Sequence, residues 1–386
     1  MLGLFNKGKG KHTTDNGFYS LEDILKTCPD AFYYVVFGKR SNGKTYACLK
    51  RILDNYWDDG SEGIYLRREV EEIKGANGGR VFNGLVANGY IAKLTNGAWS
   101  GVTYYNRAFY LSKWDDDLAK EVKDSKPFCY AMALSEMLKY KSSQFPNVTT
   151  IVFDEFIIRN SGRSYLMDEF VTFANTISTI VRSSRKAKIF MIGNTVNMYN
   201  PYFSEMGLYK VKEMKQGDIN EYQYGDSDLK VAVEYAEDLT AKHTHQGDVY
   251  FAFDNPKLKM ITTGEWELPV YPRPSIKIER EDVKFRFFMI CPDDNIVQGD
   301  VIEKDDNMFI HFHKKTGEIY DYDLIYSLEF NPSKHYAINP YKSFNQVTKV
   351  IAALLTREKV SFGSNMVGEQ VRNYLLNANK FSFMNL

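Results

Sequence analysis

The sequence predicts an α/β fold with a mostly parallel sheet covered by helices on both faces, followed by a separate α+β region. In the first half of the chain, short apolar segments alternate with longer amphipathic ones, as expected for strands buried on both faces. After Pro201 this pattern fades, and strand-like segments return from Val249 onward, followed by two helical segments. The 386 residues are about twice the ~100 to 200 residues of one domain, so more than one core is expected.

Four segments in the first half have strand character. Each is short, aromatic or β-branched, and nearly continuous in its apolar residues. They are 31–37, 63–67, 149–153 and 187–192. The Gly- and Asn-rich stretch 75–97, between the second and third, predicts tight turns or a hairpin insertion.

The second half is predicted to begin with a linker. Apolar residues at helical spacing after Asp226 predict a short helix over 226–243. Strand signals then follow at 249–253, 257–263, 275–279, 285–290, 308–313 and 318–325, and helices are expected around 344–354 and 365–377. The predicted domains are therefore 1–220, a linker region 221–248, and 249–386.

The composition predicts a folded protein with hydrophobic cores and no membrane-spanning segment. The hydrophobic share of 44% and aromatic share of 15% argue against disorder. No apolar run approaches the ~18 to 20 residues that span a bilayer, and residues 1–17 lack the apolar middle of a signal peptide. The four cysteines form no CxxC pair, so no zinc knuckle is predicted. A cytoplasmic setting is expected.

Charge is distributed unevenly along a chain whose formal net charge is zero. From Lys334 to the end there are seven Lys and Arg residues against two Glu, which leaves this segment at +5. A basic segment indicates contact with an anionic partner, or simply a solvated helical face. Both interpretations remain open.

The strongest motif is an octapeptide that fits G-x-x-x-x-G-K-[ST] at every fixed position. A strand leads into it and a helical segment follows, as a phosphate-binding loop requires. In this pattern Lys44 reaches the β- and γ-phosphates of ATP, and the Thr45 hydroxyl binds Mg²⁺. The nucleotide-binding residues are predicted to be Gly38, Lys39, Arg40, Ser41, Asn42, Gly43, Lys44 and Thr45.

A second motif is an apolar strand that ends in Asp154 and Glu155. An Asp at this position holds magnesium, and a Glu directly after it can accept a proton from the attacking water. The long separation between Lys44 and Asp154 leaves room for a further strand. It therefore predicts a P-loop NTPase of the additional-strand catalytic-glutamate type.

Two more residues are candidates for catalysis, each with a plain structural alternative. Asn194 ends a third strand, where it would contact the γ-phosphate or the water, or merely form a turn. Arg182 ends a helix-like stretch, where it would favour the helix dipole or act as an arginine finger on the ATP of a neighbouring subunit.

Three ordered segments resemble the encapsidation ATPases of the small protein-primed podoviruses, the phi-29-like group: FPNVTTIVFDEFIIRNSG, TISTIVRSS and IGNTVNMYNPYF. The resemblance implies a P-loop ATPase domain, a small linker domain, and a C-terminal domain like an RNase H nuclease that has lost its active site. It also implies an ATP-hydrolysing, homopentameric ring that packages double-stranded DNA through the capsid portal vertex. The ring would act in the host cytoplasm while attached to the procapsid. An RNA adaptor between motor and capsid stays an open question.

Residue by residue, the resemblance assigns the phosphate lysine to Lys44, the magnesium carboxylate to Asp154 and the catalytic base to Glu155. It assigns the trans-acting arginine to Arg182. A DNA-facing lysine of the family matches Lys141.

Another DNA-contacting lysine of the family, expected directly after YLRR, has no counterpart, because Glu69 and Val70 stand there. A motor that moves any sequence should grip phosphates rather than read bases. Lys139 and Arg80 are therefore further candidates for DNA contact.

Two other functions remain as alternatives: a helicase or conjugative pump, and a non-catalytic, ATP-switched scaffold of the capsid vertex. Carboxylates in the second half would suit a two-metal nuclease, although turn residues explain them more economically. These are Asp293, Asp294, Asp300, Asp305 and Asp306.

Overall fold

The computed structural model describes residues 2–9, 19–140, 143–158, 165–166, 168–182, 187–237, 266, 269–291 and 295–383. The chain divides into two compact units, Met1–Glu267 and Leu268–Leu386. Within the described ranges, no helix is both long and apolar enough to cross a membrane.

The first unit is built on one large mixed sheet. Its strands are β1 (Leu2–Lys9), β2 (Tyr33–Gly38), β3 (Glu62–Arg67), β4 (Gly101–Tyr105), β5 (Ala108–Asp115), β6 (Lys120–Lys123), β7 (Cys129–Ala133), β8 (Val148–Asp154), β9 (Lys188–Asn194), β10 (Asp218–Tyr224) and β11 (Lys230–Ala236). They lie in the order β1-β10-β11-β2-β9-β8-β3-β7-β5-β4, and β6 pairs with β5. The four strands predicted in the first half are confirmed as β2, β3, β8 and β9.

The centre of this sheet, from β11 to β7, is parallel. Strand β9 lies between β2 and β8. The register places Gly38 beside Asn194 and Asp154 beside Ile192, so β2, β8 and β9 end at the same edge. Because the carboxyl ends of parallel strands share an edge, the residues that follow them are brought together.

Helices cover both faces of the first sheet. Two separate apolar clusters mark these faces, one containing α2 and the other α6. Gly63 allows α2 to approach β3 closely, since a Cβ there would stand 2.6 Å from Ile52. The helices are α1 (Glu22–Thr27), α2 (Lys44–Asp59), α3 (Ala76–Gly79), α4 (Asn83–Ala87), α5 (Tyr90–Leu94), α6 (Glu169–Val181) and α7 (Pro201–Glu205).

The hairpin predicted over 75–97 is wrong, because this stretch forms the three short helices α3 to α5, which are joined by turns at 80–82 and 88–89. Phe82, Leu85 and Ile91 are buried against Phe109 and Phe128. Gly and Asn lower the local helix propensity, and the packing of these apolar side chains overrides it.

The linking helix predicted over 226–243 is also wrong where the structure describes it. Residues Lys230–Ala236 form β11, which pairs with β10 on one side and with β2 on the other. The described part of the predicted linker therefore lies inside the first unit. Residues 238–248 lie outside the described ranges.

Within the described residues, the second unit has a six-stranded sheet and two α-helices. Phe287, Ile310, Phe312, Ile351 and Tyr374 lie in its core. The sheet order is β16-β15-β12-β13-β14-β17. The elements are β12 (Val283–Ile290), β13 (Ile296–Lys304), β14 (Asn307–Lys314), β15 (Leu324–Ser327), β16 (Tyr336–Ala337), α8 (Gln346–Thr356), β17 (Val360–Phe362) and α9 (Asn365–Phe383).

Both helices predicted near the end of the chain are confirmed as α8 and α9. The buried face of α8 consists of Thr348, Ile351, Leu354 and Leu355, and Val347 on the same helix is exposed. The strand predicted at 275–279 does not form, and β13 was not anticipated. Strand predictions at 249–253 and 257–263 lie outside the described residues.

Candidate phosphate-binding site

The loop between β2 and α2 has the backbone shape of an anion-binding turn. Ser41 and Gly43 both adopt left-handed conformations, with φ of 65° and 99°. Gly43 is the N-cap of α2, and the helix begins at Lys44. The first turn of a helix has backbone N–H groups without partners inside the helix, and its dipole favours negative charge.

Lys44 is buried beneath this loop. Its Nζ donates to the carbonyl oxygens of Gly38 (3.3 Å) and Lys39 (2.6 Å) and to the Oδ1 of Asn42 (3.1 Å). Asn194 Oδ1 lies 3.5 Å away, at the end of β9. Burial lowers the pKa of Lys44 to about 8. The ammonium group therefore lies where a phosphate would neutralise part of its desolvation cost.

Asp154, at the end of β8, faces the same loop. Its Oδ2 accepts hydrogen bonds from the hydroxyls of Thr45 (3.2 Å) and Tyr65 (2.9 Å). Burial raises the pKa of Asp154, and the positive charge of Arg67 opposes this shift. A carboxylate beside a hydroxyl is a set of hard oxygen donors, which suits Mg²⁺.

Glu155 follows directly and adopts a left-handed backbone conformation, with φ of 56°. Its side chain is 43% exposed, and its Oε2 lies 2.7 Å from Arg67 Nη2. The same Nη2 is 3.0 Å from Glu72 Oε1, and Arg67 Nη1 is 3.5 Å from Asp154 Oδ2. One guanidinium thus contacts three carboxylates and orients Glu155.

These side chains surround a cavity of about 360 Å³. Asn42 is buried, and its Nδ2 makes no hydrogen bond within the described residues. A buried donor without a partner costs free energy, and a phosphate oxygen would satisfy it. The cavity is lined by Arg40, Ser41, Asn42, Gly43, Lys44, Thr45, Tyr46, Asp154, Glu155, Gly193 and Asn194.

The sequence-predicted residues are brought together only in part. Six of the eight loop residues line the cavity, while Gly38 and Lys39 contribute the carbonyls that bind Lys44. Arg182, at the C-terminal end of α6, is not among the described residues that line it.

The candidate DNA contacts lie apart from the cavity lining. Lys139 is exposed on a 3-10 helix, Leu134–Tyr140, and pairs with Glu136. Arg80 is exposed at the end of α3. Lys141 lies outside the described residues.

Sequence analysis missed Arg67 and Tyr65 on β3, although a signal was present. The segment 63–67 was predicted as a buried strand, and β3 lies beside β8 in a parallel register. A parallel strand brings the residues at its carboxyl end to the edge where Asp154 lies. An arginine at that end could therefore have been assigned to the site.

The carboxylates of the second unit form no metal centre in the described part of the chain. Asp300 Oδ2 lies 3.0 Å from His313 Nε2, and Asp305 and Asp306 have positive φ in the turn between β13 and β14. No group of three or more His, Cys, Asp or Glu side chains could hold a metal among the described residues. Asp293 and Asp294 lie outside them.

A mixed sheet with a parallel centre, helices on both faces, and a loop of phosphate-binding shape between β2 and α2 define an α/β protein with a candidate phosphate site. Residues 15–223, more than half of the chain, match the family described as podovirus DNA encapsidation protein (Gp16). The chain belongs to this family.

Individual relatives agree with the family. The DNA packaging protein of Bacillus phage phi29 is 28% identical over 186 residues, which cover 48% of this chain and 49% of the relative. That of Bacillus phage B103 is 28% identical over 179 residues, 46% of this chain and 49% of the relative. The chain therefore aligns with about half the length of these curated relatives.

Solved structures show the same fold. A chain of the bacteriophage Phi-29 viral genome packaging motor assembly is similar over 94% of this chain and 99% of its own length, with a TM-score of 0.56 and 20% identity. A chain of the Phi-28 gp11 DNA packaging motor covers 94% of this chain and 98% of its own length, with a TM-score of 0.50 and 19% identity.

Proposed function

We propose that this chain is an ATP-hydrolysing motor that drives double-stranded DNA into a preformed capsid through the portal vertex. One observation carries the proposal. In a chain of the encapsidation family, Lys44, the Thr45–Asp154 pair and Glu155 converge on one cavity.

The loop between β2 and α2 would bind the nucleotide together with Lys44. Lys44 and the N-terminal amides of α2 would neutralise the phosphates, and the Asn42 amide would gain a hydrogen-bond acceptor. Thr45 and Asp154 would hold Mg²⁺, whose charge stabilises the phosphate oxygens when it is bound. The donor types present fit that ion.

Glu155 would act as the general base for hydrolysis, because its carboxylate lies beside the cavity and can accept the proton of the attacking water. Asn194 would contact the γ-phosphate or the water, because its amide lies near the Lys44 ammonium. Arg182 would act on the ATP of a neighbouring subunit in a ring, since it ends α6 away from the lining of its own cavity.

The strand order supports the additional-strand catalytic-glutamate type, because β9 lies between the phosphate-loop strand β2 and the carboxylate strand β8. For the second unit, an antiparallel β12–β13–β14 meander with β15 and β16 parallel to β12 supports an RNase H-like arrangement. The central strand β12, VKFRFFMI, has no carboxylate, which supports an inactive nuclease.

The substrate and partners follow from the family. DNA would be gripped through its phosphates, with Lys139, Lys141 and Arg80 as candidates. The ring, a pentamer in this proposal, would sit at the portal in the host cytoplasm. A helicase would have to separate strands, and a non-catalytic scaffold would not need the Glu155 carboxylate beside the cavity.

Lys44 and Glu155 have separate proposed roles, so substitutions at the two residues test the enzymatic part of the proposal. We expect Lys44→Ala to abolish ATP binding, because it removes the buried ammonium from the phosphate loop. Glu155→Gln should bind ATP like the wild type yet stop turnover, because the amide cannot accept a proton. Calorimetric ATP titration and phosphate release measure the two steps.

Lys93→Ala, which removes an exposed lysine from α5, is the matched control and should leave both steps unchanged. Normal turnover by Glu155→Gln would place the base elsewhere. Wild-type affinity in Lys44→Ala would remove the nucleotide site from this loop.

A further inference from the structure

A buried arginine follows β3 directly and binds a buried glutamate. The Arg68 guanidinium and the Glu169 carboxylate are almost fully shielded, with 7% and 0% of their side chains exposed. Arg68 Nε lies 2.8 Å from Glu169 Oε2, and Nη2 lies 2.8 Å from Oε1. Such a two-point contact fixes the relative position of both groups more strongly than a single ion contact does.

The same guanidinium also holds the backbone beside the predicted catalytic base. Arg68 Nη1 donates to the carbonyl oxygen of Glu155 (3.2 Å), and Nη2 donates to that of Phe156 (2.9 Å). Glu155 has a positive φ, a conformation that costs free energy in a residue with a side chain. Surrounding bonds are needed to keep it there, and these two act on its own peptide and the next.

Glu169 extends the network to two further segments. Its Oε1 accepts from the hydroxyl of Tyr202 (2.5 Å), and its Oε2 accepts from the backbone of Leu166 (2.8 Å). Glu169 is the first residue of α6, the helix whose C-cap is Arg182. Tyr202 lies in α7, which follows the strand of Asn194. One network thus joins the backbone at Glu155, the first turn of α6 and the helix α7 that follows the Asn194 strand.

We propose that Arg68 and Glu169 form a positioning pair for nucleotide turnover, which fixes the backbone at Glu155 relative to α6 and α7. This inference rests on the proposed function. Neither side chain lines the cavity, so both act through Glu155 rather than on the nucleotide. Only the planar, forked guanidinium can bind the carboxylate and both carbonyls at once, so lysine is not an equivalent replacement.

The test compares substitutions in the network with one that only loosens α6. Arg68→Lys should lower kcat by about 100-fold, the typical result of misplacing a catalytic group by about 1 Å. The KM and the Kd for ATP should stay within about threefold, because the Lys44 loop is untouched. Glu169→Gln should reduce kcat similarly, and the double variant should be no slower than Arg68→Lys alone, because both act through one contact.

Two further variants distinguish a positioning effect on kcat from a loss of folding stability. Tyr202→Phe removes one oxygen and keeps the buried ring, so it should fold normally and still lower kcat several-fold with KM unchanged. Ile180→Val trims the buried face of α6 away from the pair and should leave kcat unchanged. Thermal unfolding of every variant supplies the comparison of stability.

Unchanged kcat in both Arg68→Lys and Tyr202→Phe, with ATP turnover by the wild type, would overturn this inference and leave the proposed function standing. The inference also fails if Ile180→Val loses as much kcat as Tyr202→Phe, because the effect is then one of general packing. A wild-type chain that binds or hydrolyses no ATP would overturn both.

Discussion

At the scale of single residues, Glu234 leads to a prediction about how the stability of the first unit depends on pH. It is fully buried on β11, where its Oε2 accepts a hydrogen bond from Tyr19 (2.6 Å). Burial raises the pKa of Glu234 to about 8. The backbone N–H of Tyr19 donates to the carbonyl of Asn42 (2.9 Å), so this pair also supports the phosphate loop.

Glu234→Gln should remove a pH dependence of stability. Because the folded pKa lies above the unfolded value of 4.5, the carboxyl stabilises the fold below about pH 4.5 and loses that contribution as the pH rises through about 8. The unfolding free energy of the wild type should therefore fall relative to Glu234→Gln by up to about 1.4 kcal/mol per pH unit over this range.

Urea unfolding at about pH 5 and about pH 8 measures this difference. Glu213→Gln makes the same substitution at an exposed position and is measured beside it as the control. A constant difference between Glu234→Gln and the wild type at both pH values would contradict a protonated Glu234 in the fold.

At the scale of elements, sequence patterns predicted the strands that carry the site, but not β11 or the helices α3 to α5. Strands β2, β8 and β9 are apolar on both faces and end in chemically distinctive residues, so local sequence suffices. In β11, Val231 and Val233 fit a strand as well as a helix. Its pairing with β2, which is distant in sequence, makes this segment a central strand, and β10, the preceding strand in the chain, pairs on its other side.

Contacts between residues distant in sequence also explain the other elements and site residues that were not predicted. The helices α3 to α5 depend on burial of Phe82, Leu85 and Ile91, which no local Gly- or Asn-rich pattern reveals. In the site, the phosphate loop was predictable because every member is contiguous in the chain. Arg67 and Glu169 were not predicted, because parallel pairing and helix packing place them there.

Helix α6 leads to a prediction about subunit exchange. If Arg182 at its end acts on a neighbouring subunit, Arg182→Ala and Glu155→Gln should each be inactive alone. Mixed together they should regain turnover, because some sites pair an intact base with an intact arginine. Such a finger contributes on the order of 10³ to 10⁵ in rate, far more than loss of a surface charge.

Phosphate release from the mixture, with mixed rings verified by mass, gives the readout. The matched control mixes Glu155→Gln with Lys44→Ala/Arg182→Ala, which has neither an intact phosphate loop nor the arginine and should restore nothing. If verified mixed rings of the first pair stay inactive, Arg182 acts within its own subunit or only supports the fold.

At the scale of the whole molecule, the proposed function couples ATP turnover at the cavity of the first unit to movement of DNA. In the proposed function, residues at the cavity bind and hydrolyse ATP, and the family match is the reason for proposing DNA as the substrate and a capsid as the partner. The basic segment after Lys334 is a candidate for attachment to an anionic partner at the portal. Such attachment should weaken as salt is added, because exposed charges are screened.

The most direct test is protection of double-stranded DNA from nuclease by empty capsids of the cognate virus. With wild-type chain and ATP, we expect full-length duplex to become resistant to nuclease, with no release of single strands. Glu155→Gln should bind ATP and attach to the capsids yet protect no DNA. Release of single strands by the wild type, or equal protection by Glu155→Gln, would contradict a packaging motor driven by hydrolysis at this site.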